Sequence, residues 1–147
     1  MTIICTLANI GILAYGAITD YNKREIPDTV PIVLLLTGLA TGWEVIIYRL
    51  ADMLLTAAVF FIAAKLVGSD LPGGDFKLLS AMAFSSGIPI LIASLLLTGL
   101  GAAIVGIAVA MKTHCHWKQP TKRHIPLCSY IAPAYTIVCG LQIITIL

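Results

Sequence analysis

The sequence predicts an all-α polytopic membrane protein, a single domain with about six transmembrane helices of which the fourth is short. The mean hydropathy is +1.00, and 59% of the 147 residues are hydrophobic while only 11% are charged. This is the composition of an integral membrane protein rather than of a soluble domain. Apolar runs recur to the end of the chain, so a cleaved signal peptide does not account for them. The net charge of +2 is too small to indicate nucleic acid binding.

Each predicted helix follows from an apolar run close to the roughly 20 residues that a helix needs to cross the hydrocarbon core. The first three runs cover residues 2–19, 29–47 and 51–67, and the last covers 127–147. Residues 78–111 carry no charge at all and are too many for one helix. Gly87 and its polar and proline neighbours interrupt this run. It is therefore divided into a short fourth helix, 75–86, and a fifth helix, 88–111.

The basic residues favour this division. Lys and Arg concentrate on the cytoplasmic side of membrane proteins. With six crossings and both termini outside, Arg49 is the only one of the nine Lys and Arg residues left on the outer side. A single crossing by residues 78–111 would instead put the basic loop 112–123 outside. The outer side then carries an interface belt around the second connection, made of Trp43, Glu44, Tyr48, Arg49 and Asp52.

Two aspartates stand where apolar runs break. Asp20 closes the first run and Asp75 opens the fourth, so both are expected at the same membrane face. An aspartate at the start of a helix is favoured by capping and by the helix dipole, but Asp20 lies at a C-terminal end, where the dipole disfavours it. Two carboxyl groups that meet share one proton. Such a pair can activate water with one member and hydrogen-bond a scissile carbonyl with the other, and the sequence does not assign the two roles.

The residues around Asp75 are expected to shape the site. Gly73 and Gly74 can adopt positive φ values and let a substrate strand approach closely. Lys77 does not face Asp75 on a helix, because it is only two residues away, and is expected at the membrane interface. Asp28 is predicted to be the N-cap of the second helix.

These segments together resemble the type IV prepilin peptidase family, the membrane aspartic proteases described by a Gly-x-Gly-Asp motif. The resemblance extends over essentially the whole chain, including the final basic loop and the last span. It departs from the motif at Pro72, which stands in place of the first glycine, and at Asp28, where an asparagine is expected. The residues that carry the resemblance are Asp20, Ile26, Pro27, Gly74, Asp75, Lys77 and Leu78.

The resemblance implies a membrane aspartic endopeptidase in which Asp20 and Asp75 are catalytic and no cofactor or metal is required. Its substrate would be the leader peptide of a type IV pilin-like precursor, from a pilus, secretion or DNA-uptake system. Cleavage would occur at the cytoplasmic face of a prokaryotic inner membrane, with the lipid bilayer as the other partner. Larger members carry an N-terminal segment with paired cysteines, linked to methylation. This chain begins with its first span, so it resembles the short, peptidase-only members.

Two alternatives use the same residues differently. A small proton- or cation-coupled transporter subunit also uses membrane carboxylates, but it predicts acids deep within the spans and an internal repeat. Asp20 and Asp75 lie at boundaries, and no convincing repeat is visible. A non-catalytic assembly factor is the second alternative, and it would need both aspartates to be replaceable.

A metal site is a separate candidate elsewhere in the chain, but adjacent ligands seldom point to one tetrahedral centre, so a solvated loop is favoured. Its candidate ligands are His114, Cys115, His116, His124 and Cys128.

Overall fold

The computed structural model describes residues 3–23, 25–40, 43–67, 73–112 and 127–146, and these residues form helices without any strand. The predicted all-α class is therefore confirmed. Helices α1, α3, α5 and α6 contain apolar stretches long enough to cross a membrane. The bounds are α1 Ile3–Lys23, α2 Thr29–Leu39, α3 Trp43–Val67, α4 Gly73–Ser86, α5 Ile88–Lys112 and α6 Leu127–Ile146.

The short helix α4 lies at the centre of the bundle. It packs against α2, α3 and α5, and its residues from Leu78 to Ser86 are buried except for Ser80, which is partly buried. Because this part of α4 is buried around its whole circumference, neighbouring helices must enclose it. By contrast, only 6% of the apolar stretch of α3 is buried, so this helix presents most of its surface to lipid. The long helices therefore meet the membrane, and the short one is enclosed by protein.

The two ends of the bundle bring different elements together. We call one the carboxylate end: Asp20, near the end of α1, contacts the start of α6, and the start of α4 contacts the segment that leads into α2. We call the other the Gly87 end: Gly38, near the end of α2, packs against Phe84, near the end of α4. Successive helices run in opposite directions between the two ends. Asp20 and Asp75 both lie at the carboxylate end.

The boundary between the second and third helices differs from the prediction. Instead of 29–47 and 51–67, α2 ends at Leu39 and α3 begins at Trp43, so Arg49 and Asp52 lie inside α3 rather than beside a loop. A Cβ atom built on Gly87 would lie 2.7 Å from Arg49 Nη1 and 3.5 Å from Asp52 Oδ2. The guanidinium is thus beside the C-terminal end of α4, where the helix dipole favours a cation. Arg49 and Asp52 therefore mark a contact between α3 and the end of α4, and not the connection between α2 and α3.

Gly87 separates α4 from α5 in a single residue, which confirms the predicted division of the uncharged run. Its φ is +89°, a conformation that residues with a Cβ rarely adopt. Its N–H donates to the carbonyl of Ala83 at 2.9 Å, which closes α4, and its carbonyl accepts from the N–H of Leu91 at 3.2 Å, which opens α5. The positive φ is what requires glycine here, because the Arg49 side chain can move aside.

Candidate active site

Asp20 is buried at the junction of α1 and α6. Its side chain is only 6% exposed, and Oδ2 accepts a hydrogen bond of 2.9 Å from the backbone N–H of Cys128. Cys128 is the second residue of α6, and N–H groups in a first helical turn have no partner within their own helix. The N-terminal end of α6 also carries the positive end of a helix dipole. A carboxylate disfavoured by the dipole of its own helix is therefore stabilised by that of another.

Close packing holds the start of α6 against α1. A Cβ atom on Gly16 would lie 3.0 Å from Cys128 Sγ and 3.1 Å from the side chain of Val30, so α1, α2 and α6 meet tightly at this glycine. At the next residue of each helix, Ser129 Oγ donates to the carbonyl of Ala17 at 3.0 Å. These contacts fix the position of the Cys128 N–H and, with it, the orientation of the Asp20 carboxylate.

Asp75 approaches the same place from α4. It lies in the first turn of that helix and is partly exposed, a position where the helix dipole favours a carboxylate. The charges of Asp20 and Asp75 both act on the thiol of Cys128. Both aspartates therefore lie near Cys128, with Asp20 buried and Asp75 partly exposed.

Gly73 and Gly74 form the first turn of α4 and not a loop. Among the described residues Gly87 is the glycine with positive φ, so the expectation of positive φ at these two positions is wrong. Among the described residues, a Cβ on Gly73 would meet nothing within 4 Å, and one on Gly74 would make only ordinary contacts, 3.7 Å or more from Ile26. The packing of the protein itself does not require glycine here.

Lys77 forms an ion pair with Asp28, the residue before α2, and not with Asp75. Its Nζ lies 3.0 Å from Asp28 Oδ1, and the two side chains are 59% and 73% exposed. Asp28 stands at the N-cap position of α2 but makes no side-chain capping bond, so the expected cap is replaced by this ion pair. An asparagine at residue 28, which the resemblance described above leads one to expect, would lack the negative charge that pairs with Lys77. The departure from the motif thus creates a bridge between α2 and α4.

A largely apolar groove of about 500 Å³ opens beside the start of α4. It lies between α2, α3 and α4. The Asp28–Lys77 pair stands at its polar margin, and Phe76, the residue after Asp75, is part of its wall. The other lining residues are Pro31, Ile32, Leu35, Met53, Ala57, Ser80 and Ala81.

Sequence reasoning missed a set of polar side chains deeper in the bundle, which we call the buried polar cluster: Asn9, Thr37, Ser85, Ser86 and Tyr135. The two serines were interpreted only as an interruption of a long apolar run. The available signal was the presence of an amide and a phenol within the first and last spans, where polar groups need partners.

The candidate metal ligands fall mostly outside the described residues, which omit 113–126. Cys128 is described, and its thiol is buried beside α1. Within the described part of the chain, no three His, Cys, Asp or Glu residues are arranged to hold a metal ion.

Residues 7–107 match the model of the type IV leader peptidase family. The chain belongs to this family. The matched segment contains both Asp20 and Asp75 and extends through most of α5. No curated protein and no solved structure matches the chain significantly. Membership in the type IV leader peptidase family makes the protein a peptidase in general terms, and its long apolar helices make it a membrane protein.

Proposed function

We propose that this protein is an aspartic endopeptidase that cleaves the leader peptide of type IV pilin-like precursors. The observation that supports the proposal is that Asp20, near the end of α1, and Asp75, at the start of α4, lie at the same end of the bundle. Both residues lie in the segment that matches the family. We further propose that this end faces the cytoplasm from a prokaryotic inner membrane, because the positive-inside rule puts the loop of Lys23 and Arg24 there.

The two carboxyl groups divide the chemistry of peptide hydrolysis. Two carboxylates at close range share one proton, because a second negative charge nearby is unfavourable. The ionised group takes a proton from water as the water oxygen attacks the scissile carbonyl carbon. The protonated group hydrogen-bonds the carbonyl oxygen and stabilises the charge that develops on it. The C–N bond then breaks as the amine leaves with a proton. The two carboxyl groups again share one proton, ready for the next cycle.

The surroundings of Asp75 support a peptide substrate that enters from the side. No described residue would contact a Cβ on Gly73, and we propose that an extended substrate backbone passes this position next to the carboxylate. The groove between α2, α3 and α4 begins at the next residue, Phe76, and is lined almost entirely by apolar groups. We propose that an apolar segment of the precursor, adjoining the scissile bond, lies in this groove. Burial of apolar surface would then position the bond at the two carboxylates.

The test is cleavage of a pilin-type precursor by the full-length protein in proteoliposomes. Asp20→Asn and Asp75→Asn each keep the side-chain size and remove the titratable group. Each is expected to lower the cleavage rate by about 10²–10⁴-fold, the usual contribution of general acid–base catalysis. Asp52→Asn is the matched control: it makes the same chemical change at the Gly87 end, away from both aspartates and outside the groove lining, and should leave the rate nearly unchanged.

Cleavage that persists in either aspartate variant would refute the two-carboxylate mechanism. Absence of cleavage by the unaltered protein, combined with proton or cation flux that requires Asp20, would favour the transporter instead.

A further inference from the structure

The buried polar cluster connects four helices. Asn9 Nδ2 of α1 donates to Ser85 Oγ of α4 at 3.4 Å and to the Tyr135 hydroxyl of α6 at 3.3 Å. Thr37 Oγ1 of α2 donates to Asn9 Oδ1 at 2.5 Å. The Tyr135 hydroxyl is also 2.6 Å from Ser86 Oγ, which is 3.2 Å from Ser85 Oγ. Asn9, Ser85 and Tyr135 are fully buried.

These contacts are specific in a way that the surrounding apolar contacts are not. Apolar packing is non-directional, so a small sliding of one helix along another keeps most of its burial. Hydrogen bonds weaken steeply when distance or angle changes, and a polar group left without a partner inside the bundle is unfavourable. A network in which each member has a partner therefore selects one register of the helices.

The register matters because α1 and α4 carry the two aspartates. Over the described residues α1 packs mainly on α2 and α6, and α4 packs on α2, α3 and α5; α1 and α4 are not a major packing pair. The hydrogen bond between Asn9 and Ser85 is a direct link between them. Helix α6 adds an indirect one, because its Tyr135 contacts both Asn9 and Ser86 while its first turn holds Asp20.

Asp20 and Asp75 lie at nearly equal distances along their helices from the hydrogen bond between Asn9 and Ser85. Asp20 follows Asn9 by eleven residues on α1, and Asp75 precedes Ser85 by ten residues on α4. At about 1.5 Å per residue these separations are roughly 16 Å and 15 Å. The helices run in opposite directions, so both carboxylates lie on the same side of the cluster. A link at Asn9 and Ser85 therefore places Asp20 and Asp75 at nearly the same depth in the bundle.

We propose that the buried polar cluster is a positioning device that sets the register of α1 against α4 and thereby the separation of the two carboxylates. The proposal rests on the proposed function for its catalytic consequence, but the register itself can be measured without activity. Asn9, Ser85, Ser86 and Tyr135 are positioning residues, because they act on the reaction only through Asp20 and Asp75.

The first experiment measures the register. Cysteines at positions 20 and 75, in an otherwise cysteine-free full-length chain, are cross-linked in proteoliposomes with reagents of increasing length. Adding Asn9→Leu or Tyr135→Phe should shift the preferred reagent length or broaden the range that reacts. Thr98→Val is the matched control, because it removes a buried hydroxyl whose hydrogen bond stays within α5. An unchanged cross-linking pattern in both cluster variants would overturn the proposal.

The second experiment measures cleavage by Asn9→Leu and Tyr135→Phe in a chain with native aspartates. Misplacement of catalytic groups by about 1 Å can lower a rate as much as 10²-fold, so kcat per folded protein should fall at least several-fold with KM nearly unchanged. The pH–rate profile should also narrow, because the two apparent pKa values of a coupled pair converge as the carboxyl groups separate. Thr98→Val should keep both kcat and the profile.

A purely structural role predicts a different result. The variants would then contain less folded protein, but kcat per folded protein and the pH limits would be those of the unaltered chain, and the positioning role would be refuted. If the cross-linking pattern changes but the unaltered protein cleaves no precursor, the register assignment is supported and the proposed function fails.

Discussion

The carboxylate end and the Gly87 end of this bundle are built in opposite ways. At the Gly87 end, Gly38 has no room for a Cβ beside the ring of Phe84, Gly87 lies under Arg49, and the hydroxyls of the buried polar cluster have partners. At the carboxylate end, Gly73 borders open space and the Asp28–Lys77 pair is exposed. One end holds the helices in place, and the other leaves Asp75 partly exposed while Asp20 is buried. Rigid support next to an accessible site is what precise chemistry requires.

The largest expected effect comes from the buried carboxyl group of the carboxylate end, that of Asp20. Asp20→Asn should lower cleavage by about 10²–10⁴-fold, while the amide oxygen can still accept the Cys128 N–H and keep the fold. The measurement combines the cleavage rate with thermal unfolding in detergent. A fall in activity that is fully explained by loss of folded protein would show that Asp20 serves only the junction of α1 and α6.

At the Gly87 end a methyl group should damage the fold. Gly38→Ala forces the new Cβ into the Phe84 ring, and overpacking of this kind costs about 1–3 kcal/mol of unfolding free energy. Gly87→Ala adds the cost of a positive φ, about 1–2 kcal/mol for a residue with a Cβ. Thermal unfolding in detergent should show a lower midpoint for both. A midpoint equal to that of the unaltered protein would mean that this end is not tightly packed.

Filling the groove should affect substrate binding and not the fold. Ala57 lines the groove and Ala58 is exposed on the neighbouring face of α3, so Ala57→Phe and Ala58→Phe form a matched pair. Ala57→Phe should raise KM about 10-fold, equivalent to about 1.4 kcal/mol, whereas Ala58→Phe should not. Equal KM values for the two variants would place the apolar segment of the substrate elsewhere.

Gly73→Ala tests the difference between the two ends of the bundle most directly. Gly73→Ala should leave unfolding unchanged or raise its free energy by up to about 1 kcal/mol, because alanine is the better helix former and its Cβ meets nothing. Cleavage should nevertheless fall if a substrate backbone occupies this space. A stabilised variant with undiminished cleavage would show that the substrate does not approach Gly73.

The smallest expected effect is at the exposed ion pair. Lys77→Ala removes the partner of Asp28, and exposed pairs contribute about 0–1 kcal/mol. The difference in unfolding free energy between Lys77→Ala and the unaltered protein should shrink further at high salt. A loss well above 1 kcal/mol would mean that the bridge between α2 and α4 is part of the rigid framework.

Local signals in the sequence determined most of the architecture. Hydropathy and chain length predict the apolar helices, because a membrane span is a local run of residues. Gly87 marks the break between α4 and α5, because its backbone conformation is a local property. Asp20 and Asp75 stand out as carboxylates at span boundaries, and the alternation of helices predicts that they share one end of the bundle. All of these inferences use neighbours in the chain.

Only the tertiary structure decided which partners the polar side chains of these helices have. Asp20 is paired with an N–H 108 residues away in α6, and the buried polar cluster joins residues separated by up to 126 positions. The boundary between α2 and α3 was misplaced because Arg49 and Asp52 suggest a loop until their position beside Gly87 is known. Likewise the sequence did not show that Lys77 pairs with Asp28. The sequence shows which side chains need a partner, and folding alone selects the partner, because long-range contacts follow from how whole helices pack.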